Sequence, residues 1–301
     1  MVPPKIKVLL IFMPFMAVAF HLNAQDDLDS LLTKELGVKT EEVYATFKTT
    51  RIVNGHSVER VREGDLDFRI AHRFGTVKGG AYEFFGIDQS TSQFGLEYGV
   101  KDFLMLGISR ATWQKTTSGL IKLSLLRQKT GEKSFPVSMS YISSVFVNGM
   151  KWSDESRDNY FTSRLSYLHQ IAVARKFNSS LSFQVTPTLI HRNLAQGSEP
   201  NDIYAAGVGG RYKITVRSAI VGEYFYTFRK EIPEEYTDCF SLGFDIETGS
   251  HVFQIMLTNS QGITENNFIV YPAGKWKKGD LFIGFNICRF FTLKSEKKSL
   301  E

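Results

Sequence analysis

Apolar and polar residues alternate with a period of two in run after run of this chain, the mark of extended strands with one dry face and one wet face. In 65–74, Leu66, Phe68, Ile70 and Phe74 take one face while Asp67, Arg69, Ala71 and Arg73 take the other. In 93–100, Phe94, Leu96, Tyr98 and Val100 oppose Gln93, Gly95, Glu97 and Gly99. The same rule predicts strands over 103–113, 120–128, 135–147, 160–174, 181–191, 203–214, 218–228, 239–247, 251–258 and 281–290. Most approach the ~9–11 residues that a tilted strand needs to cross a bilayer.

Soluble sandwiches alternate too, so the connections decide. Long gaps (75–92, 148–159, 192–202, 229–238, 259–280) alternate with short ones such as 101–102, 215–217 and 248–250, with 114–119 as the exception. Tight turns on one side and long loops on the other predict an all-β protein, a transmembrane antiparallel up-and-down barrel over 65–291. About 12 strands are expected, within about 10–14, and an even number leaves both termini in the periplasm. Past Gln25 no run of 18 apolar residues survives interruption by charge, which excludes a bundle of membrane-crossing helices.

The start of the chain reads as an address. Lys5 and Lys7, an apolar run from Val8 to Phe20 and the small residue Ala24 predict a signal peptide over 1–24, cleaved after Ala24, and export to the cell outer membrane. Its loss lowers the formal charge from +5 to +3, too mild for a nucleic-acid partner; lipopolysaccharide phosphates and outer-membrane lipid are the expected contacts. Residues 25–64 form a separate N-terminal segment, and 292–301 a polar tail. Leu28, Leu31, Leu32 and Leu36 stand at helical spacing within 26–42. Asn54-Gly55, flanked by β-formers, predicts a hairpin turn with positive φ at both positions. That hairpin would present Arg51, Asn54, His56, Ser57 and Glu59, either as a plug in the lumen, as a plain periplasmic hairpin, or as an extra strand pair.

Aromatic rings near strand ends (Trp113, Tyr160, Phe161, Tyr204, Phe228, Tyr236, Phe290, Phe291) suit interfacial girdles. Arg69, Arg73, Glu97, Arg164, Glu223, Asp245 and Glu247 fall on polar strand faces and are the lumen candidates, with an ion pair expected from Arg69 or Arg73 to Glu97. Arg127, on an apolar face, is expected to snorkel at the periplasmic rim. Within the loop 75–92, Tyr82, Glu83, Phe84 and Phe85 would form either an inward constriction or an external cap. Cys239 and Cys288 are expected at opposite heights as free, lumen-facing thiols. No catalytic residue, metal site or cofactor is predicted: four of the five mature His residues sit in strands among apolar side chains, and neither a Gly-x-Ser-x-Gly elbow nor a His-Glu-x-x-His helix occurs.

The run from Thr49 to Glu59, Gly64-Asp65-Leu66-Asp67-Phe68-Arg69-Ile70-Ala71-His72-Arg73-Phe74-Gly75 and Gly80-Ala81-Tyr82-Glu83-Phe84-Phe85-Gly86-Ile87-Asp88 together resemble a bacterial family known as a membrane-bound β-barrel domain of unknown function. The resemblance implies a barrel in the outer membrane and supplies no catalytic residue. A passive pore or narrow solute channel is the leading expectation. A closed structural barrel that docks periplasmic or other envelope proteins is the alternative, and a barrel hydrolase the third.

Overall fold

The computed structural model describes residues 39–294 apart from 153, 157, 196, 198 and 229–234. The signal peptide, nearly all of the helical spacing in 26–42 and most of the polar tail lie outside the described residues. Twelve antiparallel strands close into one barrel. They are β1 (Asp65–Thr76), β2 (Ser90–Lys101), β3 (Leu104–Ala111), β4 (Thr117–Leu126), β5 (Ser138–Val147), β6 (Leu165–Lys176), β7 (Leu181–Arg192), β8 (Asp202–Lys213), β9 (Ser218–Thr227), β10 (Cys239–Thr248), β11 (His251–Thr258) and β12 (Phe282–Thr292). Each strand pairs with its sequence neighbours, and β12 closes the wall on β1 from Phe282 opposite Thr76 to Thr292 opposite Asp65. All twelve coincide with the alternating runs of the sequence.

The alternation sorts side chains as lipid and lumen demand. On β1, Asp67, Arg69, Ala71 and Arg73 are buried, while Phe68, Ile70, His72 and Phe74 face out. Outward rings and aliphatic chains such as Phe94, Ile108, Phe183, Tyr204, Ile220 and Ile255 are exposed to what is membrane in a barrel of this type. Cys239 and Cys288 are free and buried on the inner face.

Connections after odd-numbered strands are the longer set, as in 77–89, 148–164 and 259–281. The turn 127–137 departs from the expected pattern: it stands on the short-turn side yet carries Lys129 and Thr130, which pair with Glu42 and Glu41. Glu41 and Glu42 are therefore extended rather than the end of a helix. Arg127 does not snorkel to headgroups; it bonds Glu42 at 2.9 Å and the Asp102 carbonyl at 3.1 Å, fastening the N-terminal arm to the rim.

The apolar core lies inside the lumen. Phe47, Ile52, Val53, Val58 and Val61, all upstream of β1, pack against Met105, Leu120, Ile142, Val221 and Met256 of the wall.

Candidate functional site: a lumen filled from both ends

The segment between the arm and β1 enters the barrel as a hairpin. Arg51 bridges His56, and Ile52 N–H bonds the Gly55 carbonyl at 2.8 Å. The expected positive φ at Asn54 and Gly55 is absent. An outside partner holds the turn instead: the Glu223 carboxylate of β9 accepts N–H bonds from Val53 (3.1 Å), Asn54 (2.7 Å) and Gly55 (3.0 Å). Such charge-assisted bonds to backbone amides are among the stronger hydrogen bonds. Gly55 is required for space rather than for φ, because a Cβ there would sit 2.6 Å from the Phe225 ring.

Wall side chains satisfy the other buried polar groups of the hairpin. Lys122 of β4 donates to the carbonyls of Thr50 (3.1 Å), Ser57 (3.0 Å) and Glu59 (2.8 Å), gripping both limbs with one ammonium. Gln184 both donates to the His56 carbonyl and accepts from Val58 N–H, each at 2.7 Å. Gln254 and Asn286 donate to the carbonyls of Ile52 and Val53. Asn54 is held by Arg73 at 2.7 Å and Ser241 at 2.8 Å. Ser57 turns back within the hairpin to the Thr49 carbonyl, and Glu59 accepts Thr46 N–H at 2.7 Å.

The expected pairing of wall charges is corrected by this arrangement. Glu97 pairs with Arg51 of the hairpin at 2.9 Å, not with Arg69 or Arg73. Arg69 is buried on β1 opposite Cys288, and Asp67 stands opposite Glu97. Asp245 accepts from Gln254 at 2.7 Å, while Glu247 pairs with Arg211 (2.9 Å) and with Lys48 at the foot of the hairpin (2.7 Å). Arg164 is not in the lumen. It lies in the turn Phe161–Arg164 before β6, where it bonds the Asn148 and Met150 carbonyls and stacks over Trp152.

Of the two alternatives left open for 75–92, the inward constriction does not form. Tyr82, Phe84 and Phe85 are 95 %, 59 % and 52 % exposed, and Glu83 lies on the same outward segment. The loop 259–281 enters instead, burying Ile263, Glu265, Asn267, Phe268, Ile269 and Val270. It meets the hairpin: Glu265 Oε1 lies 3.0 Å from His56 Nε2 and 3.6 Å from Arg51 Nε. Phe268 packs edge-on against Phe225, the ring that also covers Gly55. Arg192, buried at the end of β7, holds the loop, pairing with Glu199 at 2.7 Å while Tyr271 donates to the same carboxylate at 2.8 Å.

Two spaces flank this filling. A vestibule of about 1650 Å³ opens at the end carrying the arm, lined by Tyr44, Phe47, Lys48, Arg60, Arg127 and Phe290 among others. A crevice of about 20 Å³ remains beside the hairpin between Arg51, Arg69, Glu97 and Glu265 and the small residues Gly95, Gly107, Ser109 and Ser118, room for about one water.

Burial, then the neighbouring Arg51 and Lys122 charges, push the His56 imidazole down to about 3, against the opposing pull of Glu265. A base whose docked value is depressed binds its proton more readily when released, so docking weakens as pH falls from 6.5 towards about 3. Between pH 6.5 and 5 this cost is about 2 kcal/mol. Burial raises Glu59, a contribution of opposite sign, since protonation there favours the docked hairpin. The difference between the chain and its His56→Gln variant isolates the imidazole. Hairpin release on acidification, read by cysteine labelling, should be smaller in the variant; equal responses would remove His56 from the balance.

Residues 47–291 match the family model described as membrane bound beta barrel domain (DUF5777). The chain belongs to this family. The DUF5777 match begins at Phe47, so the hairpin and the wall fall within one domain. Among solved structures, the NanC porin is similar at 8 % identity and a TM-score of 0.50, covering 75 % of this chain and 99 % of that one. An outer membrane channel from Pseudomonas putida F1 is similar at 12 % identity and a TM-score of 0.48, covering 78 % and 98 %. At 8 % identity the likeness to the NanC porin is one of fold alone: a closed antiparallel barrel of the outer-membrane type. No curated protein matches the chain.

Proposed function

We propose that this DUF5777 chain is a solute channel of the outer membrane held shut by its own N-terminal hairpin, which opens by leaving the lumen towards the periplasm. The observation that carries this reading is where the wall spends its buried polar groups. Lys122, Gln184, Glu223, Gln254 and Asn286 bond hairpin backbone, and Glu97 bonds a hairpin guanidinium. Water can replace the hairpin at every one of these polar groups, so withdrawal leaves a bore with wettable stretches of wall between the apolar patches of Met105, Leu120, Ile142, Val221 and Met256. Both hairpin limbs lead to the vestibule end, which gives the segment a route out that crosses no strand.

Single-channel recording in planar bilayers tests this. The full mature chain should be closed for most of the record, whereas a chain lacking 25–62 should show stable conductance steps. A truncated barrel whose inserted stretch 263–270 is also replaced by a short Gly-Ser linker, and which keeps its heat-modifiable migration yet passes no current, would favour the closed docking scaffold instead.

A further inference from the structure

We infer that the external rim formed by 77–87 and 275–280 is a binding surface for a phosphorylated glycolipid of the outer leaflet, rings taking acyl chain and lysines taking phosphate. The first half is a hook of exposed apolar side chains, Tyr82, Phe84, Phe85 and Ile87. Phe84 and Phe85 hold φ of 45° and 55°, a left-handed conformation that side chains of this size disfavour. The neck of the hook is closed at Gly86, whose φ is 90° and where a Cβ would come within 2.3 Å of the Gly75 carbonyl. The fold thus fixes these rings outward, where water alone would oppose them.

The second half is the turn that carries Lys275, Lys277 and Lys278. Trp276 pins it to β10, its Nε1 bonding the Phe240 carbonyl at 3.0 Å, which leaves Lys277 and Lys278 exposed. The two halves are joined: Val77 N–H bonds the Leu281 carbonyl at 2.8 Å and Lys78 pairs with Asp280 at 2.9 Å. The hook stands at the outer ends of β12 and β1, whose outward rings Phe74 and Phe285 pack near each other on the membrane-facing side. An apolar patch continuous with the lipid face and bordered by exposed ammonium groups matches an amphiphile bearing phosphate above its chains. Carboxylates are present too: Asp88 is exposed, but Glu83 folds back over Gly79.

The full mature chain in detergent, titrated with lipid A, provides the test. Lys277→Glu with Lys278→Glu should weaken binding about tenfold or more, and Tyr82→Ser with Phe84→Ser and Phe85→Ser should weaken it comparably, with barrel migration unchanged in both. Phosphatidylglycerol and inorganic phosphate serve as separate probes. If either binds as tightly as lipid A, or if both variants keep wild-type affinity for lipid A, the assignment is overturned.

Discussion

Glu223→Ala is expected to convert the closed barrel into a conducting one. The substitution leaves the N–H groups of Val53, Asn54 and Gly55 buried without an acceptor, and all three lose a charged partner at once. Hydrogen bonds to charged groups contribute about 1.5–3 kcal/mol each, but three that share one carboxylate do not add. A loss of about 3 kcal/mol in docking is the conservative figure, or about two orders of magnitude in the ratio of docked to released hairpin. Open probability in planar bilayers should rise accordingly. A folded Glu223→Ala barrel that stays as silent as the parent would show that the turn is not held by this carboxylate.

Lys122→Met should loosen the same hairpin from its base. Methionine keeps most of the apolar stem and removes the ammonium, stranding the carbonyls of Thr50, Ser57 and Glu59 inside the barrel. Removing one member of a buried charged network costs about 3–5 kcal/mol where the partners cannot be re-solvated; water entering from the vestibule places this site near the lower figure. Limited trypsin digestion from the periplasmic side should then cut at Arg60 or Arg51 much faster than in the parent, leaving the twelve strands intact. Unchanged protection would mean that the apolar contacts of Phe47, Val58 and Val61 hold the hairpin alone. The double variant should fall short of the sum of the two, because one hairpin is being released by either change.

The wall was legible in the sequence because lipid and lumen impose opposite demands on neighbouring residues, and a slip by one position would turn every side chain to the wrong side. Strand runs, loop asymmetry and the inward thiols Cys239 and Cys288 all follow from that local rule. What fills the bore does not. Asn54-Gly55 reads as a self-sufficient turn, yet its conformation is set by Glu223, 169 residues away. Lys122 had a readable parity between Ile121 and Leu123, and that was the available signal for it, but nothing near it marks the carbonyls it would meet. For Tyr82 to Phe85 the sequence left an inward constriction and an external cap equally open, because loop residues have no face parity to decide it. Glu265, in a loop without periodicity, gave no sign that it would face His56. Arg164 obeyed parity too, but the strand begins one residue after it.

The seam between β12 and β1 has a consequence for biogenesis. Its pairings join Thr76 to Phe282, so they require the whole intervening sheet to be in place and are slow to form. The hairpin is tethered directly to β1, one margin of that seam, and Asn286 on the other margin bonds its turn. A nascent sheet that had not yet curled shut would therefore meet the insert as a template shared by its first and last strands, and the insert can help to bring those margins together before it ever serves to block passage.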